Sequence, residues 1–135
     1  MSRSDPRWLG RLAIDEAHFR QVRDHGGRHG LRDENALEAA LARPRQRWAY
    51  DEAAGIPDIA ASFAFGPIRN HPYVDGDKRV GLVAMVAFLD LNGYELMASD
   101  VEVVEVILSV AAGDLTEPAL ARWVASRVRP GRSSS

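Results

Sequence analysis

Apolar residues recur along this chain at helical rather than strand spacing, and Pro, Gly, Asp and Ser punctuate the runs. Residues 15–25 carry Ala17, Phe19 and Val22 and stop at Gly26-Gly27, which predicts a first amphipathic helix. Asp33 can cap a second, with Ala36, Leu37, Ala40 and Leu41 on one stripe. Pro44 disfavours helical geometry in the residue before it, so this helix is expected to end near Arg43. Pro57 suits the first turn of a third helix, Ile59 to about Arg69, with a kink expected at Gly66-Pro67. A fourth, Lys78 to Leu91, is apolar on nearly every face until Asp90, the pattern of a central helix covered on all sides. Asn92-Gly93 closes it with residues that tolerate left-handed geometry. Ser99 and Glu102 have capping-box spacing for a fifth helix ending at Gly113, and Thr116 can cap a sixth through Trp123. Tyr94-Glu-Leu96 is at most a brief extended piece. The expected fold is all-α: a compact bundle of about six helices around a buried central helix.

Composition narrows this. At 135 residues and 46% apolar, the chain suffices for one domain and is too short for two ordinary ones. The expected organisation is a flexible N-terminus over residues 1–12, a helical domain over 13–128 and a disordered tail over 129–135. A net charge of −2 supplies no global basic field, so direct nucleic-acid binding is not expected. The absence of Cys excludes disulfides, a thiol nucleophile and a Cys-based zinc site, and fits a reducing cytoplasm. The first 12 residues are cut by Arg3, Asp5, Pro6, Arg7 and Arg11 and lack the apolar run of a signal peptide. The longest apolar run, Val80 to Leu89, is half of the roughly 20 residues a bilayer requires. A soluble, cytoplasmic protein with no membrane partner is expected.

The candidate chemistry is concentrated in His71-Pro-Tyr-Val-Asp-Gly-Asp-Lys-Arg79. Pro72 and Gly76 make this a loop, and the apolar helix follows it directly. A helix start directs unpaired backbone N–H groups and the positive end of its dipole at an anion. Gly76 lets the backbone approach closely, and Lys78 and Arg79 add full charges. Taken singly, His71 would be a solvated loop histidine, Asp75 a helix cap, and Lys78 with Arg79 a wet surface pair. Together they supply a general base, a hard oxygen ligand of the type Mg²⁺ prefers and two phosphate-binding cations. The spacing fits neither the Walker loop nor the calcium loop.

These nine residues resemble the signature of the Fic/Doc family, which reads His, any residue, Phe, any residue, Asp or Glu, Gly or Ala, Asn, Gly or Lys, Arg or Lys. Lys78 matches the death-on-curing (Doc) toxin branch, where the AMP-transferring Fic branch usually has glycine. Gly30-Leu-Arg-Asp-Glu-Asn-Ala-Leu-Glu-Ala-Ala-Leu-Ala-Arg-Pro44, Arg69-Asn-His-Pro and Leu91-Asn-Gly-Tyr-Glu-Leu96 match in kind and place, so the resemblance covers about residues 12 to 125. It implies an all-α fold and a Doc-like toxin of a toxin-antitoxin pair. Such a toxin transfers phosphate from ATP or another nucleoside triphosphate to a protein hydroxyl. By the same resemblance, His71 would take the hydroxyl proton and Asp75 would hold Mg²⁺. Gly76, Asp77, Lys78 and Arg79 would line the phosphate site, with Arg69 adding a further contact. Family precedent suggests a translation elongation factor, elongation factor Tu, as protein substrate. An AMP or nucleotidyl transferase would use the same residues with the nucleotide reversed.

Asp77 departs from the pattern, standing where the signature has Asn. At roughly 4 Å and an effective dielectric of about 20, two like unit charges repel by about 4 kcal/mol. Three readings stay open: retained activity with Asp77 as an extra metal ligand, a changed donor preference, or a degenerate binding module. The chain also lacks the self-inhibitory pattern of some Fic proteins, Ser or Thr, three residues, then Glu followed by Gly or Asn. The only Glu followed by either is Glu34-Asn35, and position 30 is Gly. Inhibition by a separate small antitoxin, folding as a helix into an apolar groove, is therefore expected. His18, His25 and His29 are read as solvated or structural, and Trp8, Trp48 and Trp123 as packing anchors. Arg43-Pro-Arg-Gln-Arg47 is read as a solvated face, with a contact for an acidic partner as the alternative.

Overall fold

The computed structural model describes residues 3–131. It contains six helices: α1 Arg11–His25, α2 Glu34–Tyr50, α3 Ile56–Asn70, α4 Asp77–Leu91, α5 Asp100–Ala112 and α6 Glu117–Arg127. Two short strands, β1 Tyr94–Leu96 and β2 Val128–Pro130, pair antiparallel with Glu95 opposite Arg129. The all-α expectation holds for the bulk of the chain. The expected side-chain caps are present: Asp33 accepts from Ala36 N–H (3.1 Å), Ser99 from Glu102 N–H (3.2 Å) and Thr116 from Ala119 N–H (3.3 Å).

The hub is α3 rather than the expected α4. Every residue of α3 from Ile59 to Ala64 is buried, as are Gly66, Pro67 and Ile68, and α3 packs on α2, α4, α5 and α6. Small residues set these approaches. A Cβ on Gly81 of α4 would lie 2.7 Å from the Ala64 carbonyl and 2.8 Å from Ile68 Cγ1, and one on Gly66 would lie 3.1 Å from Ala40 Cα. Around these crossings Phe63, Phe88, Ile59, Met85, Leu89 and Leu120 are removed from water, which supplies the main drive for folding. By contrast α4 leaves Lys78, Arg79 and Asp90 exposed, because only one side of it faces α3.

Pro44 does not end α2, which continues to Tyr50. Proline removes the donor that Ala40 C=O would receive and costs about 3 kcal/mol in a helix interior. Here that strain is offset by tertiary contacts of the turn beyond it. Arg47 pairs with Asp51 (2.9 Å) and Glu117 (3.3 Å), and Arg43 with Glu117 (2.8 Å). In the Arg43–Arg47 segment Arg43, Arg45 and Gln46 are exposed, as expected of a solvated face, while Pro44 is buried and Arg47 half-buried. The segment's acidic partner is Glu117 of α6, whose side chain is 10% exposed.

Both ends are more engaged than expected. Arg3 donates to the carbonyls of Trp48, Asp51 and Ala54, and the Arg7 N–H donates to Asn92 Oδ1 (2.7 Å). Trp8 packs on Phe63 and Phe88, its ring centroid 6.3 and 5.8 Å from theirs. The segment before α1 is thus tied across the bundle at Arg3, Arg7 and Trp8. At the other end Arg129 and Pro130, expected in a tail, belong to β2, and Gly131 N–H donates to Gly93 C=O (2.9 Å). The rest of that tail, 132–135, lies outside the described residues. Trp8, Trp48 and Trp123 all pack against the core, as anchors should. No helix among the described residues is long and apolar enough to cross a membrane.

Candidate active site

The loop between α3 and α4 is built around an unusual turn. His71 caps α3 with φ 52° and ψ 55°, the only non-glycine among the described residues with positive φ. Left-handed geometry costs a residue with a Cβ of order 1 kcal/mol or more and persists only where surroundings enforce it. Those surroundings come from the connection between α1 and α2. Arg32 donates to the His71 carbonyl (2.7 Å) and the Asn70 carbonyl (3.0 Å). Arg32 and Asp33 N–H both donate to Pro72 C=O, at 2.8 and 3.0 Å, and Val74 N–H donates to Gly30 C=O at 3.0 Å. Leu31 and Tyr73 form an isolated antiparallel bridge.

Beneath the loop, Tyr73 is buried flat against His18, with ring centroids 3.8 Å apart and planes 8° from parallel. Its hydroxyl donates to Asp15 Oδ1 (2.8 Å). Burial, followed by that carboxylate, pushes the Tyr73 hydroxyl above its ordinary range, so it stays protonated. His18 Nε2 lies 2.8 Å from the Asp75 carbonyl. A carbonyl only accepts, so Nε2 carries the proton.

Gly76 then turns the chain with φ 89° and ψ 8° and is the N-cap of α4, where no side chain caps the helix. The first-turn N–H groups and the helix dipole therefore face the cavity in front. That cavity, about 540 Å³, is lined by His71, Asp75, Gly76, Asp77, Lys78 and Arg79 from the loop and by His25, Gly26 and Gly27 across from it. Lys78 and Arg79 are exposed, and neither makes an ion pair among the described residues. The structure thus gathers six of the seven predicted site residues. Arg69 is the exception: it is exposed, and its guanidinium reaches the Ala111 carbonyl (3.4 Å) at the end of α5, a favourable place for a cation.

Asp75 is half-buried, and its Oδ2 accepts from Arg28 N–H (2.8 Å). Among the described residues no three His, Cys, Asp or Glu side chains gather as metal ligands. One carboxylate is nevertheless a suitable donor set for Mg²⁺, which binds through one or two carboxylates together with substrate phosphates and water. Asp77 behaves differently. It is buried, its Oδ1 accepts from Tyr73 N–H (3.0 Å), and its Oδ2 lies 3.5 Å from His71 Nδ1. Burial is the dominant influence and pushes its carboxyl above the ordinary carboxylate range.

Sequence reasoning missed His18, Arg28, Arg32 and Tyr73 as supports of this loop. The available signal was the density of glycine between α1 and α2: Gly26, Gly27 and Gly30 all have positive φ. Gly27 also sits close to the loop, since a Cβ there would lie 3.2 Å from Asp75 Cβ.

The chain is also similar to known proteins. The sequence profile of the Fic/DOC family matches residues 8–89. The chain is 27% identical over 104 residues to a protein named protein kinase doc from Escherichia phage P1, covering 77% of this chain and 82% of that one. It is 37% identical over 89 residues to a protein named toxin Doc from Mycolicibacterium smegmatis, covering 64% of this chain and 68% of that one.

Proposed function

The chain belongs to the Fic/DOC family, and from that premise we propose that it is a Doc-like toxin kinase, moving the terminal phosphate of a nucleoside triphosphate to a protein hydroxyl. The observation that carries the reading is the convergence of an exposed imidazole, an uncapped helix start and two unpaired cations on one cavity. Phosphoryl transfer consists mostly of positioning and charge neutralisation, so these parts suffice.

His71 removes the proton of the acceptor hydroxyl as its oxygen bonds to the terminal phosphorus. The bond from that phosphorus to the bridging oxygen breaks, and a nucleoside diphosphate leaves. Lys78, Arg79 and the backbone N–H groups of the first turn of α4 hold the phosphate oxygens. Asp75 would hold Mg²⁺, which when bound neutralises part of the phosphate charge. Arg69 would add a phosphate contact through guanidinium donors that the Ala111 carbonyl does not occupy.

ATP is the donor proposed, a cytoplasmic translation factor such as elongation factor Tu the acceptor, and a separate small antitoxin the inhibitor. The test is expression in a bacterial host. Growth arrest that is lost in His71→Ala and relieved by a cognate antitoxin is the expected result. Tolerated high expression of the intact protein without any partner contradicts it.

A further inference from the structure

We propose that Asp77 is the positioning residue of His71, its carboxylate receiving the Nδ1 side of the imidazole so that Nε2 is left as the basic nitrogen. This rests on the reading of His71 as the base. Asp77 meets two groups at once: Tyr73 N–H at 3.0 Å on Oδ1 and His71 Nδ1 at 3.5 Å on Oδ2. Its side chain is 10% exposed and that of His71 is 60% exposed, so the carboxylate supports the imidazole from the protein side while the ring reaches solvent. The oxygen that meets the backbone is held rigidly, because Tyr73 is locked between His18 and Asp15. The other end of the arrangement is equally fixed: Arg32 grips the His71 carbonyl, and His71 N–H donates to Pro67 C=O (3.2 Å).

A carboxylate suits both contacts. Tyr73 N–H donates to Oδ1, and the second oxygen, 3.5 Å from Nδ1, can only accept, which favours the proton on Nδ1. An amide would spend its one oxygen on Tyr73 N–H and turn its NH₂ toward His71. The ring would then have to accept at Nδ1 and carry its proton on Nε2, the nitrogen needed as base. Asp77, which departs from the family pattern, thus acts on His71 from the wall of the cavity that both residues line. It is a tautomer lock for this chain's base.

The test uses the full chain with ¹⁵N-labelled histidine, read by nitrogen NMR at a pH well above the ordinary imidazole range, alongside transfer kinetics. In the wild type His71 is expected as the Nδ1–H tautomer. In Asp77→Asn, near-isosteric and checked for folding by circular dichroism, the Nε2–H tautomer is expected to dominate. The kcat for phosphate transfer is expected to fall about 10- to 1,000-fold, short of the roughly 10⁴ of a fully buried triad, with the nucleotide KM little changed. Asp77→Glu, which restores two oxygens, should recover part of the Nδ1–H population. An unchanged His71 tautomer in Asp77→Asn overturns the proposal, as does tighter nucleotide binding with faster transfer. If the wild type transfers nothing, the kinase reading fails, and the nitrogen spectrum of the free protein still decides the role of Asp77.

Discussion

His18 lies parallel to Tyr73 at 3.8 Å and reaches past it to the Asp75 carbonyl, 2.8 Å from its Nε2, so a residue of the first helix fixes the backbone of the residue proposed to hold Mg²⁺. His18→Phe keeps the ring stack and deletes the donor. The expected loss is about 1 kcal/mol of stability from one hydrogen bond, with weaker nucleotide binding because the turn into Gly76 is no longer held. Urea denaturation and nucleotide titration of the two proteins check this. Equal nucleotide affinity would mean that the loop holds its shape without His18.

The helix crossing beneath the site has no slack. Gly81→Ala would put a Cβ 2.7 Å from the Ala64 carbonyl, below any ordinary contact distance. Overpacking of this kind typically costs 1–3 kcal/mol, about the range expected here. Because α4 carries Lys78 and Arg79, a displaced α4 should also weaken phosphate binding. Thermal melting reports the first effect and isothermal titration with nucleotide the second.

Acid should loosen the α2 extension. The Arg47 guanidinium donates to Asp51 Oδ2 (2.9 Å) and holds the Asp51 carboxyl below the ordinary carboxylate range. A carboxyl with a depressed folded value contributes stability above its unfolded value, about 4. That stability is lost as pH falls through the lower folded value, since the unfolded chain then takes up the proton first. Asp51→Asn should lower the melting temperature at neutral pH and flatten its fall between about pH 4 and more acid conditions. Melting curves for the two proteins that run parallel across this window would show that the pair adds no pH-dependent stability.

Local rules read most of the bundle from sequence because the signals are local. Caps at Asp33, Ser99 and Thr116 sit three residues from the groups they bind. Where the prediction failed, the deciding contact lay far away. Pro44 is outweighed by ion pairs to Glu117, more than 70 positions on, and β2 forms only because β1 lies 34 residues upstream. The small residues Gly66 and Gly81 marked α3 as the hub, but a glycine in a helix reads as a close approach only once the partner helix is known. At the site the motif itself was legible, and six of the seven predicted site residues line one cavity. The roles within it were not. In sequence Asp77 stands among phosphate and metal groups, whereas its nearest partners are Tyr73 N–H and His71, reached because the loop folds back on itself.

ATP radiolabelled on either the γ- or the α-phosphate separates terminal phosphate transfer with His71 as base from nucleotidyl transfer. Wild-type protein is incubated with a bacterial extract, and label is followed into protein. The γ label should enter a protein acceptor and the α label should not. His71→Ala should cut γ transfer by about 10²- to 10⁴-fold, the range for loss of a general base. Entry of the α label would show nucleotidyl transfer instead, and γ transfer unaffected by His71→Ala would contradict the assignment of the base.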